Sequence, residues 1–321
     1  MPMLPFLSCD SKDTSEPDIS QESGEEQRMV EYGPVIMHAH GSIASINGAR
    51  LFVKSTSGGI WIAIYQPECL KEKDESKKSE EDVLYTCTTD GKCVKIVDGK
   101  IQKTVPMTGH KNCDGKRQTL PYCGRPLGIR RYNANLFVVA DAILGIFVVD
   151  FEKGSAELLV SSSKLVDGKR LLFPDDLDFV DNDTILFSDA STRFGISDFL
   201  LAFMEHAEDG RLIEYKISTG QLRVVADGLS FANGVQIHPD RQSVLFCESA
   251  NSRIQRFYYA GPKKGRQEIF VDNLPGFPDN IRLSAARRSF YVALFGHRSK
   301  DLPDALDWLG PRPWARKFLG E

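Results

Sequence analysis

Long apolar runs are missing from this sequence. None of its 321 residues belongs to an uninterrupted hydrophobic stretch longer than six, the segment at 60–65 being one such stretch. A helix that spans a bilayer needs roughly 20, so no membrane span is expected. An excess of basic residues is missing as well: 40 Lys and Arg stand against 44 Asp and Glu, for a net charge of -4, which sets aside nucleic acid and anionic lipid as main partners. There is no G-x-S-x-G elbow, no G-x-x-x-x-G-K loop and no G-x-G-x-x-G turn, so a nucleophile-elbow hydrolase, a P-loop enzyme and a dinucleotide enzyme are all disfavoured. Seven cysteines are too few for a disulfide scaffold, and no C-x-x-C spacing points to zinc. Histidine is scarce at six. His38 and His40 share one strand face but lack a third ligand, and His110, His206, His238 and His297 fall in loops or turns, where solvation is expected.

What is present is a globular composition, 41% hydrophobic and 26% charged, with enough apolar surface for a sizeable core. Residues 1–34 are acidic and Ser-rich, with neither a basic n-region nor an h-region, and are expected to be a disordered tail. A second charged run without apolar period, KEKDESKKSEED at 71–82, is expected to be a solvated loop.

From Val83 onward, apolar runs of four to six residues alternate with Gly, Asp, Asn and Pro, and helical periodicity is almost absent before residue 300. This is an all-β reading. The runs repeat. VLYTCTTDGKCVKIVDGKIQKTV, LFVVADAILGIFVVDFEKGSAELLV, ILFSDASTRF with GRLIEYKISTGQLRVVADGL, and VLFCESANSRIQRFYYAGPKKGRQEIFVDNL each give a strand ending in a small or acidic pair, a turn, a strand with a bulky apolar centre, a turn and a third strand. Corresponding points at Cys87, Ala140, Ser188 and Cys247 lie 53, 48 and 59 residues apart, a period that marks a β-propeller. SDFLLAFMEHAEDG inserts a short helical stretch after Arg193, and a fifth blade opens at FYVALFG. A closed ring of such blades beginning near residue 35 needs roughly six of them. The expectation is therefore a six-bladed propeller over 35–321 that is incomplete at the C-terminus and interrupted by a charged insertion near 54–82.

Several separate motifs stand in order along this chain: CGRPLGIR (123–130), LFVVADAILGIFVVD, FPDDLDF (173–179), DFLLAFMEHAEDGRLIEY, FANGVQ (231–236), LPGFPDNIR (274–282) and DWLGPRPWARK. Together they resemble the strictosidine synthase-like family. That resemblance implies a six-bladed propeller related to the calcium-dependent paraoxonases. Animal members resemble weak arylesterases, held by an N-terminal membrane segment with the propeller in the lumen or outside the cell, and the plant enzyme that names the family joins an amine to an aldehyde without metal. By the same resemblance, Cys113 and Cys123 form a disulfide; their spacing alone leaves a bridge and two reduced thiols as alternatives, a bridge of that loop size being worth up to about 3 kcal/mol. Bridging would imply an oxidising compartment, with which the sequon Asn182-Asp183-Thr184 is compatible. The chain departs from the family in lacking the anchor, in carrying residues 54–82, in ending before the last blade, and in showing His40-Gly41-Ser42 where relatives have Pro-Glu-Ser with the Glu as a metal ligand.

A hard cation such as calcium takes six to eight oxygens, and a propeller can supply them from inner-strand starts converging on its axis. Such starts here carry Asp175 with Asp176, Asn233, and Asp279 with Asn280. The competing reading is turn chemistry, for which Pro-Asp-Asn and above all Asn233-Gly234 are well suited. Relatives usually show Asn where Asp175 stands, so the missing Glu and the gained Asp leave the formal charge of the set unchanged. Paraoxonase-like enzymes place a His before the Gly of the second-blade motif, where this sequence has Leu127, so no general base is expected there. The expected activity is at best weak arylesterase or lactonase hydrolysis of a small ester or lactone, with calcium as cofactor and no catalytic side chain assigned; a non-catalytic binding propeller and amine-aldehyde condensation are the alternatives. Cys87, Cys93 and Cys247, on apolar strands, are expected to be buried thiols, and Asp141 and Asp189 to cap strand ends. By resemblance the protein belongs to the secretory lumen or the cell exterior.

Overall fold

The computed structural model describes residues 83–133, 135–284 and 289–297, strands within 44–65, and a few positions between 308 and 315. The N-terminal residues to 43, the charged run 71–82, and with them His38, His40 and Gly41, lie outside the described residues.

Strands β1 (Ala44–Ile46), β2 (Ala49–Thr56) and β3 (Gly59–Tyr65) form one antiparallel sheet in that order. The next sheet is β4 (Val83–Thr88), β5 (Lys92–Val97) and β6 (Lys100–Pro106). A one-turn helix α1 (Leu120–Cys123) precedes the first complete blade, made of β7 (Pro126–Arg131), β8 (Leu136–Asp141), β9 (Gly145–Asp150) and β10 (Ser155–Ser161). A small hairpin, β11 (Leu165–Val166) and β12 (Lys169–Arg170), leads to the blade β13 (Pro174–Phe179), β14 (Thr184–Asp189), β15 (Gly210–Lys216) and β16 (Gln221–Leu229), with helix α2 (Phe199–Glu205) between β14 and β15. The following blade is β17 (Ala232–Ile237), β18 (Ser243–Glu248), β19 (Arg253–Tyr258) and β20 (Gln267–Val271), after which β21 (Gly276–Leu283) pairs with β22 (Phe290–His297).

This is a β-propeller. In the three complete blades the repeated three-strand unit of the sequence supplies the second to fourth strands. The first, innermost strand is the motif segment in front of it, so each sheet has one more strand than the repeat showed. The innermost strands β7, β13, β17 and β21 stand side by side in chain order, with β4 next to β7.

The two largest hydrophobic clusters are each shared by two neighbouring sheets. One joins β8 and β9 to β14 and β15 through Val138, Ile146, Phe187 and Ile213; the next joins β14 and β15 to β17 and β18 through Leu186, Leu212, Val235 and Phe246. A strand inside such a stack is covered on both faces, which is why β14 and β18 are buried at every position and read as continuous apolar runs rather than alternating ones. The outer strands β10, β16 and β20 are mostly half-buried or exposed instead.

An acid ends each second strand and returns to the start of its own blade. Asp189 accepts from the Phe173 amide at 2.8 Å and Glu248 from the Ser230 amide at 2.9 Å, while Asp141 accepts from the Ile143 and Leu144 amides at 2.9 and 2.8 Å. Asp189 also holds buried Arg211, whose other donors reach the Val166 and Arg170 carbonyls and pin the β11–β12 hairpin.

Two disulfides stiffen the start of the described ring. Cys113 is bonded to Cys123. The second corrects the expectation of buried thiols: Cys87 and Cys93 are bonded to each other, because β4 and β5 place them directly opposite in register, where facing Cβ atoms come within bridging distance. Cys247 is free and buried.

Candidate functional site

Four inner strands carry the same local irregularity at the same rung. Their pairing with the second strand of the blade slips between Pro126 and Gly128, between Pro174 and Leu177, between Ala232 and Val235, and between Pro278 and Ile281. A bulge gives one strand an extra residue and re-aims its side chains. The residues set within these bulges are Leu127, just before Gly128, then Asp175 and Asp176, Asn233 and Gly234, and Asp279 and Asn280. Every site residue read from the sequence thus sits on a bulge of an innermost strand, and Asn233-Gly234 lies inside β17 rather than in a hairpin turn.

Glycine at two of these rungs lets neighbouring blades close up. A Cβ on Gly234 would lie 2.4 Å from the Asp279 carbonyl and 2.7 Å from the Asn280 Cα; one on Gly128 would lie 2.6 Å from the Asp175 carbonyl. The backbone that carries one blade's polar pair therefore rests on the bare Cα of the preceding blade.

Asp175 and Asn233 are buried. The Asn233 carboxamide, from the neighbouring blade, favours the ionised form of Asp279 and partly offsets the effect of burial. Burial, with the Asp279 and Asp176 charges nearby, pushes the Asp175 carboxyl well above the ordinary carboxylate range. Burial and the Asp176 charge push Asp279 up to about 6. The Oδ1 atoms of Asn233 and Asn280 are both buried without a hydrogen-bond partner. An orphaned carbonyl oxygen costs roughly 1–3 kcal/mol, and two of them stand here between two carboxylates that repel each other. The set is oxygen only, mixed carboxylate and carboxamide, the chemistry that hard cations prefer. Among the described residues no three His, Cys, Asp or Glu side chains are grouped so that they could share a metal ion.

Asp176 is held differently from the other four. Although burial opposes its charge, the Arg282 and Arg130 guanidiniums keep its carboxyl below the ordinary range. Arg282 grips both of its oxygens, at 2.6 and 3.1 Å, and the Val235 amide donates to it at 2.9 Å. Its oxygens are engaged from within the protein.

Next to the bulges lies an aromatic layer. The residues just before three of the bulges, Phe173, Phe231 and Phe277, share a buried cluster with Phe203 of α2, and Leu127 packs against it. Phe203 stacks on Phe231 with centroids 4.4 Å apart and meets Phe295 at 5.1 Å. The inserted helix thus adds an apolar ring to the cluster that Leu127 packs against.

A family model described as strictosidine synthase matches residues 175–262, a span that opens on Asp175 and contains Asn233. The adipocyte plasma membrane-associated protein of Salmo salar is 43% identical over 246 residues, 76% of this chain and 59% of its own length. The protein STRICTOSIDINE SYNTHASE-LIKE 13 of Arabidopsis thaliana is 38% identical over 198 residues, 61% of this chain and 47% of its own. The chain is similar to proteins of the strictosidine synthase-like family. It spans less than two thirds of the length of these relatives. A solved nidogen/laminin complex overlays 68% of the chain and 71% of its own at 13% identity with a TM-score of 0.46, too loose a superposition to bear on the site.

Within this propeller the other sequence candidates scatter. Asn182 is exposed in the turn between β13 and β14. His110 is exposed, and His206 closes α2 in the left-handed conformation. His238 departs from the expected solvated state: it is half-buried, stacked on Phe290 at 5.8 Å and within 3.2 Å of Asp240. Buried Cys247 lies within the field of Asp279, Asp176 and Asp175, and burial raises its thiol well above its ordinary range, so it is inert. Among the described residues no helix is long and apolar enough to cross a membrane.

Proposed function

We propose that Asp175, Asn233, Asp279 and Asn280 hold a calcium-type cation on the propeller axis, and that the protein is at best a weak hydrolase of small aryl esters or lactones. The observation that carries this reading is the pair of buried, partnerless Oδ1 atoms on Asn233 and Asn280, set between two carboxylates whose ionisation burial opposes. A cation bound there would polarise an ester or lactone carbonyl and stabilise the developing oxyanion. The chain's own residues do the rest of the positioning. Asn233 favours the ionised form of Asp279, and Asp176 fixes the β13 bulge through Arg282 and the Val235 amide. The phenylalanine cluster next to the bulges favours an apolar or aromatic acyl or alcohol group. General-base catalysis is worth about a hundredfold or more, and Leu127 supplies none, so slow turnover follows.

A non-catalytic binding propeller is the second reading, favoured by that same Leu127. We place the protein in an oxidising compartment, the secretory lumen or the cell exterior, because two disulfides persist there and not in the cytosol; exposed Asn182 is then open to glycosylation.

Calcium titration by calorimetry, with phenyl acetate hydrolysis assayed in calcium and in chelator, tests the proposal. Saturable calcium binding, weakened about tenfold or more in Asn280→Ala and in Asn233→Ala, is expected, one lost ligand interaction of about 1.4 kcal/mol giving that factor. Hydrolysis should disappear in chelator. Binding without calcium-dependent hydrolysis would leave the binding propeller; no calcium binding at millimolar concentration would remove the cation reading altogether.

A further inference from the structure

One rung below the bulges the four inner strands carry Arg130, Asp178, Gln236 and Arg282, three residues beyond Leu127, Asp175, Asn233 and Asp279 respectively. The Arg130 guanidinium donates through Nε to the Leu177 carbonyl at 2.7 Å, and through Nη2 to the Val235 carbonyl and, at 3.4 Å, to the Ile281 carbonyl. Leu177, Val235 and Ile281 are the same position of three successive innermost strands. A single planar group touches all three only where those strands converge, on the axis itself. Two carboxylates flank it: Asp176 Oδ2 lies 3.7 Å from Nη2 and Asp178 Oδ1 3.9 Å from Nε. Asp178 is fixed in turn by Gln236 Nε2 at 2.8 Å and the Ile237 amide at 2.7 Å. The Gln236 carbonyl oxygen accepts from the Leu283 amide at 2.8 Å.

We propose that the propeller axis contains a second cation site, beneath the first, whose resident cation is the guanidinium of Arg130. The argument is one of unpaired oxygen. An innermost strand has no partner on its axial edge, so its carbonyls there must meet water, an ion or a donor from the protein. Three such carbonyls and two carboxylates converge here, with the Ile281 carbonyl and Asp176 shared with the Arg282 guanidinium and the Leu177 and Val235 carbonyls met by Arg130. Among the described residues Arg130 alone meets all three carbonyls, its side chain is 13% exposed, and a guanidinium offers five donors in a flat fork. The ring of strands is thereby tied across its centre by one residue of β7. A lysine there would bring its three donors on one compact head, too narrow to span the same three carbonyls.

The test is chemical rescue, with every melt run in chelator so that its outcome does not depend on calcium at the upper ring. Arg130→Ala empties the position; its melting temperature is expected to fall by roughly 5–10 °C, the range for losing a buried, multiply bonded charge in a chain of this size. Millimolar methylguanidinium should restore at least half of that loss, while leaving the wild type unchanged. Arg130→Met fills the space with an uncharged stem and should melt low without rescue. Absence of rescue in Arg130→Ala, equal rescue of Arg130→Met, or a wild-type melt in Arg130→Ala would each overturn the proposal. If Arg130→Ala does not fold, Arg130→Lys decides: a lowered melting temperature supports a site shaped for the guanidinium, and a wild-type value refutes it.

Discussion

Asp279 shows at the scale of one residue what the axis demands. Its carboxyl is held up to about 6 against an ordinary value of 3.8, first by burial and then by the Asp176 charge. A carboxyl whose folded value is raised contributes stability that is complete below about 3.8 and is lost as the pH climbs through about 6. The loss amounts to about 3 kcal/mol for a difference of some two pH units. Without cation, the stability of wild type relative to Asp279→Asn is therefore expected to decline from pH 4 to 7, as read from denaturant midpoints. Calcium added at pH 7 should reverse that decline, because a cation takes the ionised form. The identity of this residue as a site candidate was legible: Asp279-Asn280, Asp175 and Asn233 recur at the starts of apolar segments. The fate of Asp176 was not. Its partner Arg282 stands 106 residues away, and no local pattern announces a pairing over such a distance. Arg130 was hidden in the same way, its carbonyl partners lying 47, 105 and 151 residues along the chain.

At the scale of the element, the bulged inner strand is the device that turns a repeat into a site. Four strands slip register at the same rung, and bare Cα atoms at Gly128 and Gly234 accept the neighbouring backbone at distances a methyl group cannot share. Gly234→Ala and Gly128→Ala are each expected to cost about 1–3 kcal/mol, the usual penalty of forced overpacking, measured by urea unfolding. Gly195→Ala, where an added Cβ meets nothing within 4 Å, should stay within about 0.5 kcal/mol of wild type. Asn-Gly is a strong turn signal when read locally. Tertiary packing overrides it here because Gly234 is required by the next blade and not by its own backbone. The Cys87 and Cys93 pair was illegible for a related reason, since only the β4–β5 register makes them face each other.

For the whole molecule, the order of the blades was readable because each second strand is sandwiched between sheets and leaves an uninterrupted apolar run, at Thr184–Asp189 and Ser243–Glu248 for example. The innermost strands escaped the repeat because the polar work at the axis gave each a different sequence, PLGIRR beside PDDLDF beside ANGVQI. Reduction bears on this scale too. Cleaving the Cys113–Cys123 bond should lower stability by about 3 kcal/mol on the chain-entropy model, seen as a depressed melting temperature in reductant. Both covalent staples of the described residues fall between Cys87 and Cys123, so stiffness is concentrated in one arc of the circle. Heat will accordingly open the far arc first and pull β17 and β21 off the hub, dispersing Asn233, Asp279 and Asn280 while most of the strands are still intact. Affinity for a central ion should vanish several degrees before the ellipticity of the sheets does.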